Sequence, residues 1–386
     1  MVLKEFKFTR FKGEKNEWSI EGKPDGSGIA QPLTLENINL IVGLNASGKS
    51  RTVDAIRRIA DLVSGEIKLS YLNAMGFGTE LYSVKFEEEK EITEYFLEVI
   101  DGKIIQETLQ VDSQVKLNRK NGKLYYESER KDLDFQIDDD ILAVTKRDRK
   151  QHPFFEKIYQ WGKNLNHFKF GGQLGQDNLR KYAQDDSQIT LKGENNIAEI
   201  FVIAKNKFDG FEKTILKEMR EVSYNIEELK VFDNKIVNQF YSHIYAKEED
   251  VTDFVHQVDL SQGMFRTLSL IIQLNYSFLS NESSCILIDD IGEGLDFERS
   301  KALIDLIIKK VENSNVQLIM TTNDRFTMNK VPLKYWSVIE RVPKKSIFYN
   351  YRNSKETFDD FKFTGLNNFD FLTSQFYIKG FETVSL

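Results

Sequence analysis

The stretch GLNASGKS at positions 43–50 combines residue types and a spacing that are suited to holding phosphate groups. It fits the pattern G-x-x-x-x-G-K-S completely, with Gly43, Gly48, Lys49 and Ser50 at the defined positions. In this pattern the glycines let backbone N–H groups curl around phosphates, the lysine reaches the β- and γ-phosphates, and the serine ligates Mg²⁺. The stretch follows a predicted strand and opens a predicted helix, whose N-terminus adds a partial positive charge. This context disfavours the alternative, a glycine turn with a chance lysine.

A second chemical element is the apolar run CILIDD at 285–290, which ends in two carboxylates. In an enzyme that acts on a nucleotide, Asp289 would belong to the Mg²⁺ shell and Asp290 would polarise the attacking water. Alone the run is weak evidence, since buried strands often end in aspartate. Together with the phosphate-binding pattern it becomes a strong indication.

Three further stretches gain meaning from their order along the chain. They are LSQG at 260–263, before a long predicted helix, GEGLD at 292–296, after the carboxylates, and LIMTTND at 318–324, a buried strand with a polar end. Each also has a purely structural explanation, because Ser261 and Asp296 could simply cap helices and the last stretch could be a strand-to-loop exit. For each stretch taken alone, the structural explanation is favoured.

The elements that must position these residues alternate between strand and helix at both ends of the chain, which predicts an α/β core completed by the two termini. In the middle, Asp-Gly and Asn-Gly pairs predict antiparallel hairpins, and residues 150–250 read as mainly helical, most clearly 205–232. The predicted segments are an N-terminal lobe with the phosphate-binding pattern (1–145), a helical insertion (146–254), a C-terminal lobe with the two carboxylates (255–345) and an aromatic-rich cap (346–386).

Composition bounds the class of protein. The 386 residues are 40% hydrophobic with a net charge of −7, which predicts a sizeable core and does not suggest a globally basic nucleic-acid binder. The single cysteine, Cys285, excludes an internal disulfide and fits a reducing cytosol. The N-terminus lacks the apolar segment of a signal peptide, and the longest apolar runs are far short of the roughly 20 residues that a membrane helix needs. We therefore expect a soluble cytoplasmic protein with no membrane partner.

Taken in order, the five stretches resemble the motifs of the ABC-type ATPase head, as found in SMC, Rad50 and the RecF-like and OLD-like ATPases. GLNASGKS is similar to Walker A, LSQGM to the signature motif, ILIDD to Walker B and GLD to the D-loop, while TTND lies at the switch-histidine position. The opening FTRFKG resembles the first strand of the SMC and Rad50 branch, with Lys12 at the position of a common arginine. The resemblance covers roughly residues 1–60 and 255–345. It implies an α/β fold, an ABC-type P-loop ATPase head with an N-terminal antiparallel sheet and an inserted helical arm or subdomain.

The resemblance also implies a composite site that binds ATP and Mg²⁺ between two copies of the chain. Residues of one copy that would hold the nucleotide are Gly43, Asn45, Ser47, Gly48, Lys49, Ser50, Arg51 and Lys12. Ser261 and Gly263 of the opposite copy would contact the γ-phosphate, and Asp296 would cross the interface. Catalysis would fall to Asp290, Lys49 and Asn323, and metal binding to Ser50 and Asp289. ATP would then join the heads into a homo-oligomer, and hydrolysis would loosen them.

Two positions depart from the family pattern. Asp290 replaces the usual glutamate, and its carboxylate is one methylene shorter, so it places the attacking water less well. Asn323 replaces the usual histidine; it can hydrogen-bond a phosphate oxygen or the water, but it cannot accept and return a proton near neutral pH. Both changes predict slow hydrolysis and a long-lived ATP-bound state.

Chain length narrows the branch of the family. Only 212 positions separate Lys49 from Ser261, and no sustained heptad pattern lies between them, which excludes the long coiled-coil arm of SMC and Rad50. The compact AAA15/OLD-like group fits better, and the 63 residues after Asn323 are too few for the Toprim domain that OLD nucleases append. Stand-alone heads of this kind resemble the ATPase subunits of bacterial anti-phage systems such as PARIS, Septu and some retrons.

The resemblance leaves several functions open. The first is an ATP-dependent sensor and scaffold for a separate effector protein, a nuclease or toxin, in anti-phage defence. The second is a RecF-like or Rad50-like DNA-repair ATPase, for which TKRDRK (145–150) and RKNGK (119–123) are candidate DNA contacts, although such runs are more often solvated surface. The third, a transporter ATP-binding subunit, is the weakest, because those subunits keep the histidine and glutamate that are missing here.

Overall fold

A computed structural model describes residues 1–74, 78–172, 196–236, 239–280 and 285–383. These residues form two compact units. Unit 1 comprises Met1–Leu165, Gln317–Ile319 and Pro332–Leu386, and unit 2 comprises Asn166–Val316 and Met320–Val331. The four segments predicted from the sequence were defined by motifs and not by compactness, so the four-segment division stays a prediction.

The strands, numbered along the chain, are β1 (Val2–Arg10), β2 (Trp18–Gly22), β3 (Leu33–Thr34), β4 (Ile38–Gly43), β5 (Thr79–Glu88), β6 (Glu91–Ile100), β7 (Lys103–Val111), β8 (Gln114–Asn118), β9 (Lys123–Tyr126), β10 (Lys131–Asp134), β11 (Leu165–Lys169), β12 (Ile226–Ile236), β13 (Gln239–Glu248), β14 (Val255–His256), β15 (Cys285–Asp289), β16 (Gln317–Thr321), β17 (Trp336–Val342) and β18 (Lys345–Asn350). The helices are α1 (Lys49–Val63), α2 (Leu69–Ala74), α3 (Pro153–Lys163), α4 (Ile197–Lys207), α5 (Phe211–Glu221), α6 (Gln262–Ser280), α7 (Phe297–Glu312), α8 (Arg325–Lys330), α9 (Lys355–Phe361), α10 (Asn368–Thr373) and α11 (Phe376–Lys379). Among them, no helix is both long and apolar enough to cross a membrane.

Unit 1 is built on a mixed sheet with the strand order β10-β9-β8-β7-β6-β5-β1-β2-β18-β17-β4, and β3 pairs with β1. Most neighbours are antiparallel, but β17 runs parallel to β4 and β18 parallel to β2. The predicted hairpins are confirmed: Asp101-Gly102 joins β6 to β7 with both residues at positive φ, and Gly122 precedes β9 with φ 60°. The N-terminal antiparallel sheet of the predicted fold is therefore present.

One face of α1 is buried, as its sequence pattern predicts. Val53, Ile56 and Ile59 are fully buried and Val63 is 1% exposed. This face packs against α3 at a close approach, where a Cβ on Gly162 would lie 2.4 Å from the Ala60 carbonyl oxygen. Burial of this apolar stripe holds in place the helix whose first residue is Lys49.

Aromatic side chains fill the core of the C-terminal cap. Phe371 is fully buried and contacts Phe358 and Phe361 in edge-on geometry, with ring centroids 4.6 and 5.0 Å apart. Trp336, the first residue of β17, lies 6.5 Å from the Phe371 ring and joins this cluster to the sheet. These aromatic residues of the tail therefore serve as core.

Unit 2 contains the last residues of β16 followed by β15 and β11, and a separate sheet of β12, β13 and β14. The prediction of helix across 205–232 is correct for Phe211–Glu221 and wrong from Ile226 onward, where β12 forms. The helix stops because Ser223 adopts φ 62°, and the following residues pair along their length with β13. Tertiary pairing has overridden the helical propensity of this stretch. The wider prediction that 150–250 is mainly helical is also wrong at β11 and β13. Residues 173–195 and 237–238 of the predicted helical insertion lie outside the described residues.

The close approach of α3 to α1 generates a stability prediction. Gly162→Ala forces a methyl group into the Ala60 carbonyl oxygen and to within 2.8 Å of a Val63 methyl group. Overpacking of this kind costs about 1–3 kcal/mol, which exceeds the gain of roughly 1 kcal/mol that alanine brings to a helix interior. We expect a lower urea midpoint of unfolding. Gly26→Ala, where a Cβ meets nothing within 4 Å, is the control; equal midpoints for the two variants would contradict the packing argument.

Candidate functional site

The predicted phosphate loop of unit 1 connects a buried strand to a helix through two residues of left-handed backbone. All six residues of β4 are buried, and α1 begins at Lys49. Between them, Ala46 has φ 62° and Gly48 has φ 114°. Gly48 is required both by this conformation and by space, because a Cβ there would lie 2.9 Å from the Ser346 hydroxyl oxygen. The strand–loop–helix context that the sequence predicted is thus present.

Lys49 lies back along the loop instead of pointing into solvent. Its side chain is 6% exposed, and Nζ donates hydrogen bonds to the carbonyl oxygens of Gly43 (2.8 Å) and Leu44 (3.2 Å). The hydroxyl of Ser47 is buried and has no hydrogen-bond partner among the described residues. Ser50, by contrast, is exposed at the start of α1. The loop and the start of α1 therefore bring together three polar groups: the ammonium of Lys49, the buried hydroxyl of Ser47 and the exposed hydroxyl of Ser50.

The carbonyl groups of the loop are fixed by residues more than 290 positions along the chain. Arg341 donates to the Ala46 carbonyl oxygen (2.6 Å), and the Ser346 hydroxyl donates to the Ser47 carbonyl oxygen (3.0 Å). Trp18 Nε1 donates to the same Ser346 hydroxyl (3.1 Å). Sequence reasoning missed these three residues, and no local signal identifies them, because each reaches the loop only through the arrangement of β2, β18 and β17 side by side in the sheet.

The remaining predicted nucleotide contacts of unit 1 lie at the surface. Asn45 and Arg51 are exposed on the loop and on the first turn of α1, and the Arg51 guanidinium lies 5.7 Å from the centroid of the Trp18 ring. Lys12 is exposed in the turn between β1 and β2. Their contacts with a nucleotide stay predictions.

In unit 2, one threonine orients both carboxylate residues at the end of β15. Asp289 is 8% exposed, and its Oδ1 accepts a hydrogen bond from the Thr321 hydroxyl (2.5 Å). The same hydroxyl oxygen accepts the backbone N–H of Asp290 (2.9 Å), where the chain turns with φ 55°. A positive φ is uncommon at non-glycine residues, and the residues that have one are often found at functional sites. Thr321 was not identified from the sequence, although it opens the TTND stretch.

Asn323 and Asp290 contact each other directly. Asn323 Nδ2 donates to Asp290 Oδ1 (3.0 Å), and both residues are accessible from solvent. The neighbouring Thr322 hydroxyl donates to the Ile291 carbonyl oxygen (2.8 Å), which ties the two strand ends together. A carboxylate accepts several hydrogen bonds through its two oxygens, so an Asp–Asn pair of this kind has the chemistry to orient a water molecule. The two residues that depart from the family pattern are thus one hydrogen-bonded unit.

A buried arginine, Arg266, links the start of α6 to the turn that follows Asp290. It is 7% exposed and donates to the carbonyl oxygens of Gly172 (3.0 Å), Glu293 (3.0 Å) and Gly171 (3.3 Å). A Cβ on Gly171 would lie 3.1 Å from Asp290 Cβ, so this backbone also packs against the carboxylate residue. Sequence reasoning did not single out Arg266; the available signal was a lone charge within the otherwise apolar start of a long helix.

Ser261, Gly263 and Asp296 have local structural roles. The Ser261 hydroxyl accepts the backbone N–H of Met264 (3.2 Å) at the start of α6. Gly263 packs against the GEGLD turn, where a Cβ would lie 3.0 Å from the Gly294 carbonyl oxygen. Asp296 caps α7 by accepting the Arg299 N–H (3.0 Å). The alternative interpretation of Ser261 and Asp296 as helix caps is therefore correct locally, and their predicted contacts with a second copy stay predictions.

Comparison with known proteins gives a family and a fold. Residues 38–329 match a family model described as "AAA domain, putative AbiEii toxin, Type IV TA system". No curated protein matches the chain. The solved structures that resemble it include an Smc head bound to the C-winged helix domain of ScpA, with 14% identity, a TM-score of 0.50 and coverage of 90% of this chain and 97% of that one. Another is a Pyrococcus furiosus Smc head with an extended coiled coil bound to the C-terminal domain of ScpA, with 12% identity, a TM-score of 0.50 and coverage of 94% and 99%. At this identity the likeness shows the fold alone, which is that of an ABC-type P-loop ATPase head.

The cap formed by Asp296 generates a pH-dependent stability prediction. The hydrogen bond from the Arg299 N–H, together with the Arg299 side chain, lowers the pKa of the Asp296 carboxyl below its ordinary value. A lowered folded-state pKa contributes stability that is present above the unfolded value of about 3.9 and is lost as pH falls through the folded value. Asp296→Ala should therefore cost about 1 kcal/mol at pH 7 and clearly less at pH 3, measured by urea unfolding. Asp296→Asn, which also caps, should cost less at pH 7; an alanine effect independent of pH would refute the prediction.

Proposed function

We propose that this chain, which belongs to the AAA-domain family whose description covers AbiEii-type toxins of type IV toxin–antitoxin systems, is a slow Mg²⁺-dependent ATPase. The observation that carries the proposal is the phosphate loop, in which left-handed Gly48, buried Lys49 and the unpaired Ser47 hydroxyl surround one turn of backbone. The hydroxyl of Ser50 and the carboxylate of Asp289 are hard oxygen ligands of the type that Mg²⁺ prefers. The residues present therefore fit ATP and its metal ion.

The proposal gives each polar group a distinct task. Backbone N–H groups of the loop after Gly43 and of the first residues of α1 hold the phosphates, and Lys49 Nζ exchanges its carbonyl partners for phosphate oxygens. Ser50 and Asp289 hold the metal, which neutralises charge on the β- and γ-phosphates when it is bound. Asp290 accepts a hydrogen bond from the attacking water and so orients it toward the phosphorus. Further contacts to the nucleotide are assigned to Asn45, Ser47, Arg51 and Lys12.

Slow turnover is proposed because of the contact between Asn323 and Asp290. One carboxylate oxygen of Asp290 already accepts a hydrogen bond from the Asn323 amide, so the carboxylate has less freedom to turn and position a water molecule. The side chain is also shorter than the glutamate that the family resemblance leads one to expect. An amide cannot carry a proton away from the water, so Asn323 supports orientation without proton transfer. Both effects favour a long-lived ATP-bound state.

We further propose that ATP joins two copies of the chain, with Ser261, Gly263 and Asp296 of one copy acting on the nucleotide of the other. The exposure of Ser261 and Asp296 supports this assignment, since both side chains are accessible to a second molecule. A ligand that binds the assembled state better than the separated one stabilises assembly by mass action. The chain would thus be a homo-oligomer when loaded with ATP.

The biological role that we propose is a cytoplasmic sensor and scaffold for a separate effector, a nuclease or toxin, in bacterial anti-phage defence. The family description, which names toxins, supports a setting of this kind. The runner-up is a DNA-repair ATPase, and several of its candidate basic contacts are paired with carboxylates. In TKRDRK, Arg147 and Arg149 both pair with Glu156. In RKNGK, Arg119 pairs with buried Glu107 and Lys123 with Asp134. These pairings favour the first role.

Lys49→Ala should abolish tight ATP binding and ATP-dependent assembly. Removing a charge-assisted hydrogen bond costs about 1.5–3 kcal/mol, which is about a ten- to a hundredfold loss of affinity. Binding can be followed by titration calorimetry and assembly by light scattering with and without ATP and Mg²⁺. Lys103→Ala, at an exposed position on β7, is the matched control. Normal ATP affinity and assembly of the Lys49→Ala variant would rule out the proposed role of the loop.

Asp290→Ala and Asp290→Asn should retain ATP binding, lose hydrolysis by about two orders of magnitude or more, and accumulate in the assembled state. The asparagine variant preserves side-chain shape and an oxygen that can accept the Asn323 amide, so it separates loss of the charge from loss of packing. Asp253→Asn, at an exposed position of unit 2, controls for the change in charge. Phosphate release and light scattering are the measurements. Hydrolysis at the wild-type rate in both variants would remove Asp290 from the catalytic role.

A further inference from the structure

A cavity of about 440 Å³ lies in unit 1 at the end of β4 remote from the phosphate loop. Ile38, the first residue of β4, lines the cavity, whereas Gly43, the last, begins the loop. At about 3.3 Å per residue, the strand separates the two positions by about 17 Å. The cavity is therefore distinct from the proposed ATP site, and its volume falls in the range of small-molecule pockets, about 300–1,000 Å³.

The walls of the cavity are mainly apolar and aromatic. Ile38, Trp336, Tyr335 and Tyr351 contribute to its lining. Trp336 is 1% exposed, so its part of the wall belongs to the core. The hydroxyl of Tyr351 donates to Asp359 (3.0 Å), which fixes the position of that ring. A planar ring of a ligand would gain both apolar burial and aromatic contact here.

The polar groups beneath these walls are already held by the backbone. Asn39 Nδ2 donates to the Glu36 carbonyl oxygen (2.6 Å), and Asn350 Nδ2 donates to the Thr34 carbonyl oxygen (2.9 Å). The base of the cavity is consequently rigid and does not need to be ordered by a ligand. Preorganised walls reduce the entropy that binding costs.

The charged residues of the lining favour an anion. Three are cationic, Lys334, Arg352 and Lys355, and one is anionic, Glu36. Lys355 is bound to Asp359 (2.5 Å), but Arg352 makes only a long contact with Glu36 (3.5 Å) while remaining 57% exposed. Lys334 Nζ lies 4.6 Å from the centroid of the Tyr335 ring. Arg352 and Lys334 can thus turn toward a ligand phosphate without breaking a strong ion pair.

We propose that this cavity is a second ligand site, which takes a small aromatic phosphate of the size and class of a nucleoside monophosphate. The ring lies against the wall that contains Tyr335, Tyr351 and Trp336, and the phosphate is bound by Lys334 and Arg352. The arrangement suits a compact anion with a planar group, because the cations and the aromatic side chains line one cavity of about 440 Å³. The site goes beyond the proposed ATPase activity and does not depend on it.

The test uses titration calorimetry with AMP as the probe, on the full chain carrying Lys49→Ala so that the phosphate loop does not compete. We expect AMP to bind this protein, and adenosine and inorganic phosphate to bind it at least about tenfold more weakly, since each lacks half of the contacts. Adding Lys334→Ala and Arg352→Ala should weaken AMP about tenfold or more. The matched control adds Lys103→Ala and Lys379→Ala, two exposed lysines of unit 1 that do not line the cavity, and should leave AMP binding unchanged.

Each other outcome would overturn the proposal. AMP binding that Lys49→Ala abolishes belongs to the phosphate loop, and AMP binding that survives the Lys334 and Arg352 substitutions belongs elsewhere. If the control variant loses as much AMP affinity as the Lys334 and Arg352 variant, AMP binding depends on net charge alone. No binding of AMP up to about 1 mM, where a binding free energy of about −4 kcal/mol gives half saturation, excludes the site. A chain that carries Lys334→Ala and Arg352→Ala but keeps Lys49 tests the ATPase proposal separately, because its ATP affinity depends on the phosphate loop and not on this cavity.

Discussion

The hydrogen bonds that fix the carbonyl groups of the phosphate loop are the constraint on which the candidate site of unit 1 depends. A loop can offer its N–H groups to phosphates only if its carbonyl oxygens are directed away and satisfied, since an unpaired polar group costs free energy when it is buried. Arg341 and the Ser346 hydroxyl supply those partners for Ala46 and Ser47. Both donors come from the β17–β18 hairpin, whose first strand runs parallel to β4. The sheet is thus the frame that shapes the loop.

In unit 2, hydrogen bonds from a few side chains likewise position the candidate site. The single hydroxyl of Thr321 orients Asp289 and the backbone of Asp290, and Asn323 then holds the Asp290 carboxylate. The buried guanidinium of Arg266 donates hydrogen bonds to three carbonyl oxygens of the surrounding turns. A buried guanidinium without such partners would be strongly destabilising, so its hydrogen bonds keep the start of α6 and the turn after Asp290 in one arrangement.

Charge pairing in the fold compensates part of the positive charge that the sequence concentrates in short runs. Several cations of the basic runs that stand out in the sequence pair with nearby carboxylates, among them Glu156 and the fully buried Glu107. Less conspicuous cations, Lys334 and Arg352, line a cavity with apolar walls instead. A cation bound to a carboxylate is compensated, whereas one with a weak partner beside apolar surface can still bind an anion. Location in the fold, and not local density, therefore decides which cations are available.

The sequence by itself determined the elements whose cause is local. The G-x-x-x-x-G-K-S pattern, the apolar strand before it and the amphipathic helix after it identified the phosphate loop, and Asp-Gly and Asn-Gly identified hairpins. These succeed because backbone conformation at glycine and the burial of a periodic stripe depend on a few adjacent residues. The order of the five motifs also indicated the ATPase-head fold.

Only the tertiary structure decided what depends on residues far apart in the chain. The strand at Ile226–Ile236 replaced a predicted helix because pairing with β13 outweighs local propensity. Arg341 and Ser346 carry no distinguishing local signal, and the local signals at Thr321 and Arg266 do not say which groups they bind. The sheet and helix packing brings all four to their partners. The cavity beside Ile38 is likewise formed by segments about 300 positions apart, which no local pattern encodes.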